Sequence, residues 1–135
     1  MKQPVFLSVD NVIYLHADSI RTEGGIAGIR DVPLLESAVL MPQQQFGGQY
    51  LHDSISVMAA AYLFHIVSNH PFLDGNKRAG VMAAFVFLDT NSYDLIASPK
   101  DLESMVLRTA AREISKDEVI AWFRSNCKRR STGTK

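Results

Sequence analysis

The spacing of hydrophobic residues along the chain predicts helices rather than strands. Over residues 9–20, apolar side chains recur every three or four positions, which is the period of an amphipathic α-helix. Ser8 stands at the N-cap position of this segment, and Gly24 follows its last periodic residue. A second helix is predicted after Asp31, with Pro33 in its first turn.

Two long apolar runs predict the centre of the fold. Residues 54–69 are apolar almost all round, and so are residues 79–88. A helix that is apolar on every face is buried on every face, so these two helices should form a central pair. Neither apolar run approaches the roughly 20 residues that span a bilayer. We therefore expect two core helices and no association with a membrane.

The last third of the chain predicts two further helices. Ser98 can cap a fifth helix, and residues 115–118 have the S-x-x-E spacing of a capping box, which opens a sixth. The residues from 128 onward are polar and basic. The prediction is therefore an all-α bundle of six helices that forms one domain over residues 1–127, followed by a flexible basic tail, residues 128–135.

One segment interrupts the helical pattern. Within residues 42–53, the adjacent glycines Gly47 and Gly48 lie between Phe46 and Tyr50. Paired glycines between aromatic residues indicate a turn or a short hairpin that presents the aromatic side chains. No other stretch of the chain shows a convincing strand alternation.

The overall composition excludes several classes of function. The chain has 14 basic and 14 acidic residues, so no net charge attracts it directly to nucleic acid or to a membrane surface. Cys127 is the single cysteine and cannot form an internal disulfide. The N-terminal apolar stretch is too short for a secretory signal. These features predict a cytoplasmic protein.

Residues 70–78, His-Pro-Phe-Leu-Asp-Gly-Asn-Lys-Arg, combine groups suited to phosphate chemistry. His70 can accept a proton from an attacking hydroxyl group. Asp74 offers the hard oxygen ligands that Mg²⁺ prefers, and this ion could also contact nucleotide phosphates. Gly75 allows the backbone to approach an anion closely. We call residues 70–78 the motif loop.

The last three residues of the motif loop begin the next predicted helix. Free N–H groups and the helix dipole favour negative charge at the N-terminus of this helix. Asn76 and two cations stand there. Arg78 offers a planar fork for two phosphate oxygens, and Lys77 offers a point charge. Cations here are unfavourable unless an anion offsets them. The pattern therefore predicts a metal-assisted phosphate cradle with a base beside it.

The motif loop resembles that of the Fic/Doc family, and Lys77 makes the chain similar to the Doc (death-on-curing) branch. AMP-transferring Fic proteins normally have glycine at that position and a second arginine where this chain has Val81. Residues 24–31 and 42–48 are also similar to segments that precede the motif in Doc-like proteins. The resemblance covers residues 5–125, nearly the whole chain.

The resemblance implies a six-helix Fic fold and a toxin that is paired with an antitoxin. Doc-type proteins are similar to kinases that use ATP and Mg²⁺ to phosphorylate elongation factor Tu and so stop translation. In that scheme the γ-phosphate of ATP, rather than the α-phosphate, meets the acceptor.

Carried over by position, the catalytic residues would be His70 and Lys77, and the metal ligand would be Asp74. The phosphates would be held by Gly75, Asn76, Lys77 and Arg78, and a flap that aligns the target would comprise Phe46, Gly47, Gly48 and Tyr50.

Two alternatives to the kinase interpretation remain at this stage. The first is AMP transfer to a protein hydroxyl, as in other Fic proteins. The second is a non-catalytic binding or corepressor module, because Ser68 stands where some Doc proteins have an arginine and Val81 stands where AMP-transferring Fic proteins have one. In that case any contact with DNA would come through the partner.

Regulation is expected to come from a separate antitoxin chain. Some Fic proteins carry a self-inhibitory Ser/Thr-x₃-Glu-Gly/Asn pattern. Thr109 and Glu113 have this spacing, but Ile114 follows them. An antitoxin segment would need an open, partly apolar groove that leads to His70. The remaining histidines, His16, His52 and His65, are interpreted as structural.

Overall fold

Six α-helices dominate residues 3–131, the part of the chain that the computed structural model describes. The prediction of an all-α domain with six helices is confirmed. A 3₁₀ turn at Met41–Gln43 follows the second helix. The helices are α1 (Val9–Glu23), α2 (Val32–Leu40), α3 (Ile55–Asn69), α4 (Asn76–Thr90), α5 (Pro99–Ala110) and α6 (Lys116–Asn126).

Short polar side chains cap five of the helices. The sequence predicted the capping residue of four of these five helices. Each cap accepts a hydrogen bond from the backbone N–H three residues further on, which satisfies one of the free donors of the first turn. The capping residues are Ser8, Asp31, Ser54, Ser98 and Ser115. Helix α4 differs, because its N-cap is Gly75 and no side chain caps it.

The two apolar helices form the centre of the bundle, as predicted. Helix α3 packs along α4, and residues from both helices line the main hydrophobic core. Their backbones approach closely at Gly80, where a Cβ atom would lie 2.8 Å from Val67 Cγ2 and 3.3 Å from the carbonyl oxygen of Leu63. Within residues 3–131, no helix is both long and apolar enough to cross a membrane.

The glycine pair predicted as a turn joins two short strands. Strand β1 (Gln45–Phe46) pairs antiparallel with β2 (Gln49–Tyr50). Gly47 and Gly48 form the two-residue connection with φ angles of +60° and +80°. Positive φ at both central residues is what the type I′ hairpin turn requires, which explains the glycine pair. We call residues 44–51 the flap hairpin.

The structure corrects the prediction for the basic tail. Strand β3 (Tyr93–Leu95) pairs antiparallel with β4 (Cys127–Arg129), so the first residues of the predicted tail belong to a small sheet. Arg130 extends this contact through ion pairs with Asp89 and Asp94. Three-residue strands are too short for periodicity to reveal, and the acidic partners lie far away in sequence. The rest of the predicted tail, residues 132–135, lies outside the described residues.

Two histidines outside the motif loop, His52 and His65, lie near Lys116 at the start of α6. Lys116 Nζ donates to His52 Nε2 at 2.8 Å, so the proton of the neutral ring is on Nδ1. His52 Nδ1 and His65 Nε2 are buried and have no hydrogen-bond partner in the described structure. Burial lowers the pKa of His65 to about 4, and the nearby Lys116 and His52 add to the effect. Burial and Lys116 also lower the pKa of His52.

These shifts predict that the protein loses stability in mild acid. His65 stays neutral in the folded chain, whereas in the unfolded chain it binds a proton below its ordinary pKa of 6.5. The unfolded state therefore binds more protons between pH 6.5 and about 4, and the free energy of unfolding falls as the pH falls through this window. We expect a loss of about 1–2 kcal/mol on going from about pH 7.5 to about pH 5, measured by urea unfolding.

A His65→Leu variant provides the control for this dependence. Leucine fills a similar volume and does not titrate, so the difference in unfolding free energy between the two pH values should shrink. Asp74 does not contribute to this difference, because its pKa is lowered from 3.8. Its protonation changes the free energy of unfolding only at lower pH. Equal stability of the wild-type protein at both pH values would contradict the prediction.

Candidate functional site

The motif loop connects the ends of the two central helices. His70 is the C-cap of α3 and adopts the left-handed conformation, with φ +52° and ψ +52°. This conformation costs a residue other than glycine about 1 kcal/mol, so surrounding contacts must hold it. The His70 side chain is exposed to solvent. A proton acceptor is thus presented at the surface by a buried helix.

Phe72 anchors the loop, as the sequence suggested. Its side chain is fully buried, and its ring stacks on that of His16 with centroids 3.7 Å apart and planes within 6°. His16 Nε2 lies 2.7 Å from the carbonyl oxygen of Asp74 and donates its proton to it. His16 is therefore a structural histidine, as expected, but it supports the motif loop directly. The helical spacing of α1 does not reveal this contact.

Asn76 closes the loop from inside. Its side chain is buried, its Oδ1 accepts from the backbone N–H of Phe72 at 2.9 Å, and its Nδ2 donates to the carbonyl oxygen of Phe72 at 3.0 Å. The sequence placed Asn76 among the phosphate-binding residues. In the structure, the side-chain amide faces the loop backbone, and a phosphate would meet only the main chain of this residue.

The Asp74 carboxylate lies between the loop and the segment that follows α1. Its Oδ2 accepts from the N–H of Ile26 at 3.0 Å, and its Oδ1 accepts from the N–H of Gly75 at 2.8 Å. These backbone hydrogen bonds, together with the positive charge of Arg78, lower the pKa of the Asp74 carboxyl. The group is therefore ionised at neutral pH. Each carboxylate oxygen accepts one bond and retains a second lone pair for a cation.

Metal binding by protein side chains alone is not supported in the described residues. No group of three or more His, Cys, Asp or Glu residues within 3–131 could hold a metal ion. Mg²⁺ commonly takes one or two carboxylates and completes its shell with phosphate oxygens and water. The single ionised carboxylate of Asp74 fits that arrangement and would hold Mg²⁺ only together with a nucleotide.

A glycine in the segment after α1 allows the close contact with the motif loop. A Cβ atom on Gly25 would lie 2.8 Å from Asp74 Oδ2 and 2.9 Å from Arg78 Nη2, and the residue has a φ of +119°. Arg78 Nη2 donates to the carbonyl oxygen of Gly24 at 2.8 Å, and its Nη1 lies 3.6 Å from Glu23 Oε1. The guanidinium is thereby oriented by the end of α1.

The first turn of α4 has the features of an anion site. Its N-cap, Gly75, has a φ of +76° and provides no capping side chain, so the first N–H groups of the helix lack a side-chain acceptor. Lys77 is exposed and Arg78 is half-buried, and both line the same groove. The N-terminal end of the helix dipole adds partial positive charge. A phosphate group would satisfy the free N–H groups and offset both cations.

An open groove of about 390 Å³ extends from these two cations between α4 and α5. Its walls are mainly apolar and also include Glu23 and Glu103. The sequence predicted an open, partly apolar groove that leads to His70, whereas this groove begins at Lys77 and Arg78, at the end of the motif loop. His70 does not line it. The apolar lining residues are Val81, Met82, Pro99, Leu102, Val106 and Leu107.

The flap hairpin presents one of its two aromatic side chains. Phe46 is 80% exposed. Tyr50 is half-buried, stacks obliquely on Phe6 with ring centroids 5.6 Å apart, and donates its hydroxyl proton to Gln3 Oε1 at 3.1 Å. No hydrogen bond or ring contact joins the flap hairpin to the motif loop in the described part of the chain. Its role in aligning a target stays a prediction.

Comparison with known proteins identifies the family of the chain. The model of the Fic/DOC family matches residues 6–88. The chain is similar to "Toxin Doc" of Mycolicibacterium smegmatis, with 33% identity over 115 residues, which cover 80% of this chain and 88% of the relative. It is also similar to "Protein kinase doc" of Escherichia phage P1, with 30% identity over 113 residues, which cover 84% of this chain and 88% of the relative. The chain therefore belongs to the Fic/DOC family.

Proposed function

We propose that the chain is the toxin of a toxin–antitoxin pair and transfers phosphate from ATP to a protein hydroxyl group. Its similarity to proteins named "Toxin Doc" and "Protein kinase doc" supports this class of function. The proposed target is elongation factor Tu, whose phosphorylation would stop translation. The proposal is that of an ATP- and Mg²⁺-dependent kinase.

The chemistry follows from the residues of the site. His70 would take the proton of the attacking hydroxyl, because its ring is exposed at the start of the motif loop. The free N–H groups of α4, with Lys77 and Arg78, would hold the phosphate oxygens and stabilise charge in the transition state. Mg²⁺ bound to Asp74 and to ATP would neutralise phosphate charge. Phosphoryl transfer needs this positioning and charge stabilisation and little covalent chemistry by the protein.

Val81 is the observation that favours transfer of the γ-phosphate over transfer of AMP. AMP-transferring Fic proteins normally have a second arginine at this position, whereas Val81 forms part of the apolar wall of the groove. The cations of the site are then Lys77 and Arg78, both within the first turn of α4. A cradle confined to one helical turn favours a single terminal phosphate.

The groove between α4 and α5 supports a separate antitoxin. An apolar groove of this size suits one face of a partner helix, and its cationic end would pair with an acidic residue of that partner. A segment bound there would lie against Lys77 and Arg78. It would then compete with ATP phosphates for both cations. Antitoxin binding and transfer activity should therefore exclude each other.

Labelled ATP distinguishes the two transfer reactions. Incubation of the protein with elongation factor Tu, Mg²⁺ and γ-labelled ATP should label the factor, whereas α-labelled ATP should not. Mass spectrometry of the intact factor should show the mass of one phosphate. Label from α-labelled ATP and the mass of AMP would contradict the kinase proposal and favour AMP transfer. Omitting Mg²⁺ should abolish labelling.

A further inference from the structure

Arg30, in the segment between α1 and α2, contacts the backbone of three consecutive residues at the end of α3. Its Nε donates to the carbonyl oxygen of His70 at 2.7 Å, and its Nη2 donates to the carbonyl oxygen of Asn69 at 3.0 Å. Its main-chain N–H donates to the carbonyl oxygen of Pro71 at 2.6 Å. Neither the residue type nor the hydrophobic pattern around Arg30 indicates a role for it in the sequence.

These contacts fix the conformation of His70. The carbonyl group of Asn69 belongs to the peptide plane before the His70 Cα atom, and the carbonyl group of His70 belongs to the plane after it. By holding both planes, Arg30 restrains the φ and ψ angles of His70, which lie in the left-handed region at +52° and +52°. Those angles set the direction of the Cα–Cβ bond and hence the direction of the imidazole.

The charge and shape of arginine suit this position. Within residues 3–131, Arg30 forms no ion pair with a carboxylate. The carbonyl groups at the end of α3 lack partners within the helix, and the partial negative charge there offsets the guanidinium. Two parallel donors of a rigid fork can hold two carbonyl oxygens at once. Lysine offers a point charge and could not hold both in this fixed geometry.

We propose that Arg30 is a positioning residue, which orients His70 for proton transfer through the backbone rather than by contact with the reactants. The inference rests on the proposed function, because it assigns His70 the role of base. Arg30 forms no hydrogen bond with the first turn of α4 in the described structure. Its loss should therefore lower kcat and leave the KM for ATP unchanged.

The kinetic test uses Arg30→Gln and Arg30→Lys, with Arg129→Gln as the matched control. Arg129 is exposed on β4, so its substitution removes the same charge far from the motif loop in sequence. We expect kcat to fall by about 10–100-fold in both Arg30 variants, because misplacement of a reacting group by about 1 Å can cost that much. The number of ATP sites per chain should equal that of the wild type. A partly unfolded variant would have fewer ATP sites per chain.

Nuclear magnetic resonance of the imidazole rings gives a readout that does not depend on activity. The Cε1–H resonance of His70, assigned with His70→Asn, should shift in both Arg30 variants, while those of the other three histidines should stay in place. An unchanged His70 resonance together with an unchanged kcat would overturn the proposal. A raised KM for ATP with unchanged kcat would also overturn it, because Arg30 would then contact the nucleotide.

This resonance also separates the inference from the proposed function. If the wild-type protein transfers nothing from ATP, the kinase proposal fails, and the shift of the His70 resonance alone decides whether Arg30 positions this ring. Should Arg30→Gln fold poorly, Arg30→Lys retains the charge and a single donor nitrogen, and it tests in a folded chain whether two separate donor nitrogens are needed.

Discussion

Replacing His70 with asparagine should lower the rate of phosphate transfer by about 10²–10⁴-fold, the usual contribution of a general base. Asparagine is among the residues that tolerate the left-handed conformation best, so the backbone at φ +52° should persist. The His70 side chain is exposed and makes no hydrogen bond in the described structure. The variant should therefore fold and bind ATP as the wild type does. Initial rates with γ-labelled ATP measure the effect.

Arg112→Asn is the matched control for this variant. Arg112 is exposed, lies just after α5 and also has a positive φ angle of 60°, so asparagine is introduced into the same backbone conformation far from the motif loop in sequence. Its transfer rate should equal that of the wild type. Growth arrest on expression should be lost with His70→Asn and kept with Arg112→Asn. Arrest that persists without His70 would show that binding, and not catalysis, stops growth.

The sequence predicted the helical framework well because its signals are local. Ser8, Asp31, Ser98 and Ser115 all cap helices where the sequence placed them, since a capping hydrogen bond spans only three residues. The all-round apolar character of α3 and α4 likewise predicts their burial directly. The motif loop was also predictable, because its chemistry is contained in nine consecutive residues.

Contacts between distant segments could not be predicted in the same way. The pairing of β3 with β4 joins residues more than thirty positions apart, and the ion pairs of Arg130 depend on it. The hydrogen bonds of Arg30 to the end of α3 and of His16 to Asp74 also join distant residues. From residue type alone, the two arginines would be solvated charges and His16 would be a core histidine. Only the fold shows that two of these contacts support the motif loop.

The role of Asn76 shows how the structure changes the interpretation of a motif residue. A polar residue at the start of a helix suggests contact with a ligand. Here both halves of the amide are used within the loop, in a buried environment. The side chain thus stabilises the loop that presents His70 and Asp74. Any effect of an Asn76 substitution on activity would then come from a change in the shape of the loop.

Asn76→Ala should therefore destabilise the protein by about 3 kcal/mol. The substitution leaves the N–H and the carbonyl group of Phe72 without partners in a buried site, and each buried unpaired group costs about 1–3 kcal/mol. Alanine is itself favourable within a helix, so propensity does not contribute to the loss. Urea unfolding at neutral pH measures the change as a lower midpoint at constant slope.

Asn91→Ala is the control, because Asn91 makes the same pair of bonds to one residue in a wet environment, with one further, partly buried bond from its Nδ2 to the carbonyl oxygen of Phe87 at 2.8 Å. Its Oδ1 accepts from the N–H of Val5 at 2.8 Å, its Nδ2 donates to the carbonyl oxygen of Val5 at 3.0 Å, and both bonds are exposed. Water can replace the two exposed bonds, and the partly buried bond to Phe87 is a single net hydrogen bond, so the loss should be about 1 kcal/mol. A loss for Asn76→Ala no larger than this, combined with weakened ATP binding, would contradict the structural role. It would return Asn76 to the phosphate-binding role that the sequence suggested.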